Sequence, residues 1–164
     1  VIQDYKQAVK WYRKAAEQGV VKAQFNLGHM YNNGMGVIQD RKQAVRWWKK
    51  AAEQGDVKAQ YNLALMYKNG EGVTQDYKLA VKWYRKAAEQ GYTDAQFNLG
   101  NMYKNGEGVI QSIKNSYIWN TIAAANGHEK AIHNRDLDAK KLSPRGLEEA
   151  QKEAAKLYEK IYNK

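Results

Sequence analysis

The sequence predicts an all-α fold of stacked helix pairs, and three observations carry that prediction. The text AQFNLGHMYNNGMGV at Ala23–Val37 returns as AQYNLALMYKNGEGV at Ala59–Val73 and as AQFNLGNMYKNGEGV at Ala95–Val109, each copy 36 residues after the last. A second text lies between these copies, first seen as DYKQAVKWYRKAAEQG from Asp4 to Gly19. In both texts apolar residues recur at steps of three and four and glycine closes the run, so each period holds two short helices. Such a unit cannot bury its apolar face alone and is stabilised by stacking on its neighbours.

The helix of the second text, here termed helix B, is expected over Tyr5–Gln18 and its copies. Asp4, Asp40 and Asp76 precede it. Gln7 and Gln43 follow the first two by three residues, the spacing of a capping box. Ala8, Trp11 or Tyr12, and Ala15 form its apolar stripe, and Gly19, Gly55 or Gly91 ends it. Helix A is expected over Ala23–Tyr31 and its copies, with Ala23, Leu27, Met30 and Tyr31 on one stripe and Gly34 as the stop. Glycine within a helix costs about 1 kcal/mol relative to alanine, so Gly28 and Gly100 point to close approach of a neighbouring backbone, with Ala64 in the same slot. The loop glycines follow a helix rather than open one, and no Lys-Ser or Lys-Thr pair comes next, which argues against a phosphate-binding loop.

These texts resemble the Sel1-like repeat, a relative of the tetratricopeptide repeat, through A-x-x-x-L-G-x-x-Y-x-x-G-x-G-V followed by D-x-x-x-A-x-x-W-Y-x-x-A-A-x-x-G. The match runs from Val1 to about Ala131. The resemblance implies an α-solenoid of antiparallel helix-turn-helix pairs whose members act mostly as adaptors in protein complexes. One repeat domain over residues 1–164 is expected, with units at about 1–36, 37–72, 73–108 and 109–142 and a capping helix at 143–163.

The fourth unit explains the cap. Ile118, Ile122 and Ala125 stand where the first copy has Lys10, Lys14 and Glu17, so a polar outer stripe has become apolar and needs a cover. Ser143 as N-cap and Pro144 at the first helical position open a helix with Leu147, Ala150, Ala154, Leu157, Tyr158 and Ile161 on one face. Arg135 and Asp136 replace the Leu and Gly of helix A, as a terminal layer requires. At the other end the chain starts with a helix B and no preceding helix A. Part of its stripe is expected to be exposed, either because upstream repeats are missing or as an edge for self-association.

Composition bounds the function. Apolar residues make up 43% of the chain, which is globular rather than disordered, and twelve Tyr and five Trp outweigh two Phe. The absence of cysteine excludes a disulfide framework and a thiolate metal site, and is compatible with a cytoplasmic or an exported protein. It also removes any counterpart to the paired cysteines of the cysteine-rich Sel1-like proteins linked to β-lactams. No apolar run reaches the ~18 residues of a membrane span, so no membrane insertion is expected. The chain opens on Val1 with no targeting segment, as a processed or trimmed chain would. His29, His128 and His133 do not repeat and form no catalytic or metal-binding text. Neither catalytic residues, cofactors nor metals are expected.

The net charge of +10 is spread as +3, +3, +1 and +3 over residues 1–36, 37–72, 73–108 and 109–164. Its source is a ladder on the B helices: Lys10, Arg13 and Lys14, then Arg46, Lys49 and Lys50, then Lys82, Arg85 and Lys86. Glu17, Glu53 and Glu89 partly neutralise it. A solvated helix surface is the favoured reading, and binding of a nucleic acid or acidic protein is the alternative. The recurring Trp11, Trp47, Trp83 and Trp119 are expected to pack between layers rather than to stack on sugars or bases. Asn26, Asn62, Asn98 and Asn134 bond either loop carbonyls of a neighbouring repeat or the backbone of a bound peptide.

The main functional expectation is a protein or peptide partner held on the inner face of the A helices. By analogy with tetratricopeptide arrays that face carries Phe25, His29, Asn32 and Asn33; Tyr61, Leu65, Lys68 and Asn69; and Phe97, Asn101, Lys104 and Asn105. Aromatic, amide and lysine side chains suit an extended peptide, and the variation at His29, Leu65 and Asn101 marks the place for specificity. Plain helix surface, with Phe25, Tyr61 and Phe97 as core, is the competing reading.

Overall fold

The computed structural model describes residues 2–163, and among these it is all-helical. The helices are α1 (Ile2–Glu17), α2 (Val21–Asn33), α3 (Arg41–Glu53), α4 (Val57–Asn69), α5 (Tyr77–Glu89), α6 (Thr93–Asn105), α7 (Ile113–Ala125), α8 (Glu129–Ala139) and α9 (Pro144–Tyr162). Odd-numbered helices up to α7 are the B helices and even-numbered ones the A helices. The packing divides into two compact units, Val1–Asp76 and Tyr77–Lys164.

In the first unit α2 packs against both α1 and α3, and α3 against α4. Ala44, Ala51, Ala52, Ala59, Leu63 and Leu27 are fully buried, small residues letting the helix axes approach and the leucines filling the remaining space. Asp40 caps α3 by accepting from the Gln43 backbone N–H, as the capping-box spacing requires. The first B helix differs from expectation: α1 runs on to Ile2, so Asp4 lies in its first turn, where a carboxylate faces the positive end of the helix dipole.

The loop after each A helix is built one way three times. Gly34, Gly70 and Gly106 end the helix in the left-handed region. The second glycine of the loop approaches the start of the preceding B helix so closely that a Cβ on Gly36 would lie 2.5 Å from the Tyr5 carbonyl oxygen, and one on Gly72 2.5 Å from that of Arg41. Glycine is required there for space as well as for its positive φ. Gln39, Gln75 and Gln111 then donate to the carbonyls of Asn32, Lys68 and Lys104 at 2.7–2.8 Å, satisfying helix-end acceptors. Another repeated device is buried. Gln24, Gln60 and Gln96 each donate from Nε2 to the carbonyl of Ala16, Ala52 or Ala88 at 3.1 Å, tying the start of an A helix to the end of the B helix before it.

The helical glycines meet the expected close approach chiefly through side chains. A Cβ on Gly28 would meet the Trp48 indole at 2.6 Å, and one on Gly100 the Asn120 amide at 2.9 Å. The nearest neighbour is a side chain of the next B helix, a flat ring or amide lying over the glycine, and at Gly100 the Ser116 carbonyl oxygen also comes within 3.4 Å. The tryptophan expectation holds for Trp47, Trp83 and Trp119, which are 7%, 6% and 7% exposed, whereas Trp11 on α1 is 63% exposed.

In the second unit α6 packs against α5 and α7, and α7 against both α8 and α9. Ser143 caps α9 by accepting from the Gly146 N–H, with Pro144 at the start, as expected. Helix α9 lies along α7, and Ile118 and Ile122 are buried while Ala125 stays exposed. Its far end is pinned by the Tyr162 hydroxyl, which accepts from Gln96 and Asn126 and donates to the Gly91 carbonyl. Lys114 of α7 pairs with Glu149 and Glu153 of α9, and the hydrogen bond to Glu153 is the main reason its ammonium is held above its usual range.

Candidate partner-binding site

Helices α2 and α4 each present an A-helix surface whose apolar stripe is buried and whose intervening residues are left for other contacts. His29, Asn32 and Asn33 of α2 and Leu65 and Asn69 of α4 line one cavity of about 310 Å³. Trp48 of α3, Asn62 and Met66 of α4, and Glu71 of the following loop complete it. Trp48 is 3% exposed and donates from Nε1 to the Phe25 carbonyl, so it serves as a fixed wall. The cavity is rich in amides: Asn33 Nδ2 donates to the His29 carbonyl at 2.9 Å, and Asn69 Nδ2 to Glu71 Oε1 at 3.0 Å. Glu71 also pairs with Arg41 at 3.1 Å.

The other residues expected on this face are placed differently. Phe25 lines a separate space of about 550 Å³ with Lys22, Asn26, Asp56 and Lys58. Tyr61 and Lys68 are half-buried and are not among the residues lining the 310 Å³ cavity. In the second unit the equivalent side chains are taken up within the chain. Phe97 stacks on His128 with ring centroids 4.2 Å apart, Asn101 accepts from Asn134 at 2.8 Å, and the Lys104 ammonium lies 3.5 Å from the fully buried Asp138. Asn105 donates to Glu107 at 3.2 Å, as Asn69 does to Glu71. Asn134 therefore bonds a side chain of the preceding A helix, and Asn62 is the member of its series that faces the cavity.

Three lining residues were not legible as such. Trp48 reads as core, Met66 as part of the packing stripe, and Glu71 as a loop residue, although its recurrence as Glu107 two positions after the helix-end asparagine was a usable signal. Asp138 has no counterpart in the earlier copies to mark it. It accepts from Ser116 Oγ at 2.6 Å, a short charge-assisted bond in a buried setting.

The basic ladder is exposed, and six of its nine side chains contact an aromatic residue of the same chain. Lys50 lies 4.7 Å from the centre of the Trp47 ring and Lys86 4.9 Å from that of Trp83, within cation–π range. Arg13 donates to the Tyr31 hydroxyl and Arg85 to that of Tyr103.

The Sel1 repeat family model matches residues 1–20, 21–56, 57–92 and 93–128. The chain belongs to the Sel1 repeat family. Sel1 repeat proteins are generally scaffolds for protein–protein interaction. Among solved structures the chain resembles a Sel1 repeat protein from Oxalobacter formigenes, with 35% identity and a TM-score of 0.78 over 92% of this chain and 64% of that one. It also resembles c5321, a protective antigen of uropathogenic Escherichia coli, with 32% identity and a TM-score of 0.63 over 94% of this chain and 41% of that one. Cysteine-rich protein B of Helicobacter pylori follows, with 26% identity and a TM-score of 0.63 over 81% of this chain and 96% of that one. The chain thus spans less than two thirds of the first two relatives. No curated protein matches it. The fold is an all-α solenoid of Sel1-type, tetratricopeptide-like helix-turn-helix repeats, as the sequence texts imply.

Proposed function

We propose that this protein is a non-enzymatic scaffold that binds an extended segment of a partner protein on its A helices, with the cavity between α2 and α4 as the main contact. The observation that carries this reading is the convergence of His29, Asn32, Asn33, Leu65 and Asn69 on one cavity. Amide side chains pair with both the donors and the acceptors of a peptide backbone, and Leu65 adds an apolar contact. The polyanion reading of the basic ladder is the weaker one, because Lys14, Lys50, Lys82 and Lys86 already lie over tryptophan rings and Arg13 and Arg85 bond tyrosine hydroxyls of the same chain.

A random linear-peptide library panned against the full chain tests this. The enriched peptides should lose binding to the Asn33→Ala, Asn69→Ala, Asn105→Ala triple variant and respond weakly to salt between 50 and 200 mM, whereas polyanion binding falls about 10³–10⁵-fold over that range for six to ten phosphate contacts. Peptides that bind the triple variant unchanged, or no enrichment at all, defeat the reading.

A further inference from the structure

We infer that the cavity of about 550 Å³ at the start of α2 and α4 receives an uncharged aromatic ring, stacked on Phe25, from the partner's extended segment. This rests on the proposed function above and adds a second contact, with the chemistry of the residue that enters.

The repeat itself contains the occupied form of this place. In the second unit Phe97 of α6 stacks on His128, the N-cap of α8, with ring centroids 4.2 Å apart and planes 22° apart. The equivalent positions in the first unit are Phe25 of α2 and Asp56, the N-cap of α4. Both caps perform the same backbone task. His128 Nδ1 accepts from the Ala131 N–H at 3.2 Å, and Asp56 Oδ1 from the Ala59 N–H at 2.7 Å. They differ in what else they bring: the imidazole covers Phe97, whereas the short carboxylate leaves the place of that ring within the cavity that Phe25 and Asp56 line together. Phe25 is half-buried, and a stacked ring binds about two- to tenfold more tightly than the same area of aliphatic contact.

Charge decides which ring enters. In the second unit Asp94 lies 3.7 Å from His128 Nε2, an arrangement that suits an N–H edge. At the repeat position of Asp94 the first unit has Lys22, which lines the cavity together with Lys58. Asp56 offsets only one of these two charges. Imidazolium and guanidinium groups also stack on a phenyl face, but here they meet like charge. Phenylalanine, tyrosine and tryptophan do not, and a tyrosine hydroxyl can also accept from a lysine. Asn26, in the same lining, supplies an amide for the peptide bond beside the ring.

The test uses peptides selected on the full chain and calorimetry on the parent, Asp56→His and Phe25→Leu proteins. Selected peptides should share one aromatic residue; cyclohexylalanine in its place should weaken binding severalfold, and alanine roughly tenfold or more. Asp56→His keeps a cap acceptor and sets its own imidazole over Phe25, so it should weaken the aromatic peptides roughly tenfold and leave the alanine peptides unchanged. Phe25→Leu gives the same comparison if Asp56→His melts early in circular dichroism. Selected peptides that share histidine or arginine instead, or that bind both variants as they bind the parent, overturn the inference. If those peptides still depend on Asn33 and Asn69, the proposed binding surface stands without it. N-acetyltyrosine amide binding as tightly as the peptides makes the occupant a free small molecule and also overturns it. No enrichment of any peptide removes the surface itself and the inference with it.

Discussion

Replacing Gly28 by alanine sets helix propensity against packing, and the structure decides which wins. Alanine is favoured in a helix by about 1 kcal/mol. The new methyl would stand 2.6 Å from Trp48 Cδ1 and 2.7 Å from its Nε1. The indole cannot retreat freely, since it is 3% exposed and its Nε1 is bonded to the Phe25 carbonyl at 3.2 Å. Overpacking of this kind costs about 1–3 kcal/mol, and a lost hydrogen bond adds about 1. The net expectation is a loss of about 1–2 kcal/mol, seen as a fall of roughly 2–8 °C in melting temperature by circular dichroism.

A second variant isolates the cause. The residue twenty positions after Gly28 is Trp48, whereas Ala64 is followed at the same distance by Tyr84 and Gly100 by Asn120. A smaller ring thus accompanies the larger helix residue. Gly28→Ala combined with Trp48→Tyr should therefore show a favourable coupling of about 1 kcal/mol in a double-mutant cycle of urea midpoints. A Gly28→Ala protein as stable as the parent, or a cycle without coupling, would refute the account of this glycine.

Three further outcomes follow from burial and bonding. Trp83→Ala should cost about 3–5 kcal/mol, against about 1 or less for Trp11→Ala, because the first ring is 6% exposed and the second 63%; equal melting-temperature losses would contradict the packing described for α1. Tyr162→Phe should cost about 1–2 kcal/mol and speed hydrogen exchange along α9, since Gln96 and Asn126 lose their shared acceptor; unchanged exchange would show that the hydroxyl does not hold the helix. Asp138→Ala should destabilise by about 2–3 kcal/mol in urea, less than the ~3–5 of a fully buried pair because Lys104 is 23% exposed; a stability equal to the parent's would mean that the Ser116–Asp138–Lys104 contacts contribute nothing net.

The repeat period, the helix ends and the covering of Ile118 and Ile122 by a helix starting at Ser143 were legible in the sequence by itself. Capping, periodic apolarity and glycine stops act over a few residues, so local text specifies them. The first helix start was less legible, because nothing before Asp4 breaks the helical pattern and α1 continues to Ile2. Gln24, Gln60 and Gln96 illustrate a different limit: their recurrence was visible, but a polar side chain buried against a carbonyl eight residues back can be recognised only once the helices fold together.

The tertiary structure alone decided which members of the A-helix face share a cavity. His29, Asn32, Asn33, Leu65 and Asn69 meet beside Trp48 and Glu71, while Phe97, Asn101 and Lys104 are engaged by His128, Asn134 and Asp138, 31 to 34 positions further along the chain. Near-identical repeat text fixes each residue's position on its helix. Whether that residue is free to meet a partner depends on side chains of the next helix pair, which vary from copy to copy and reach it only through packing.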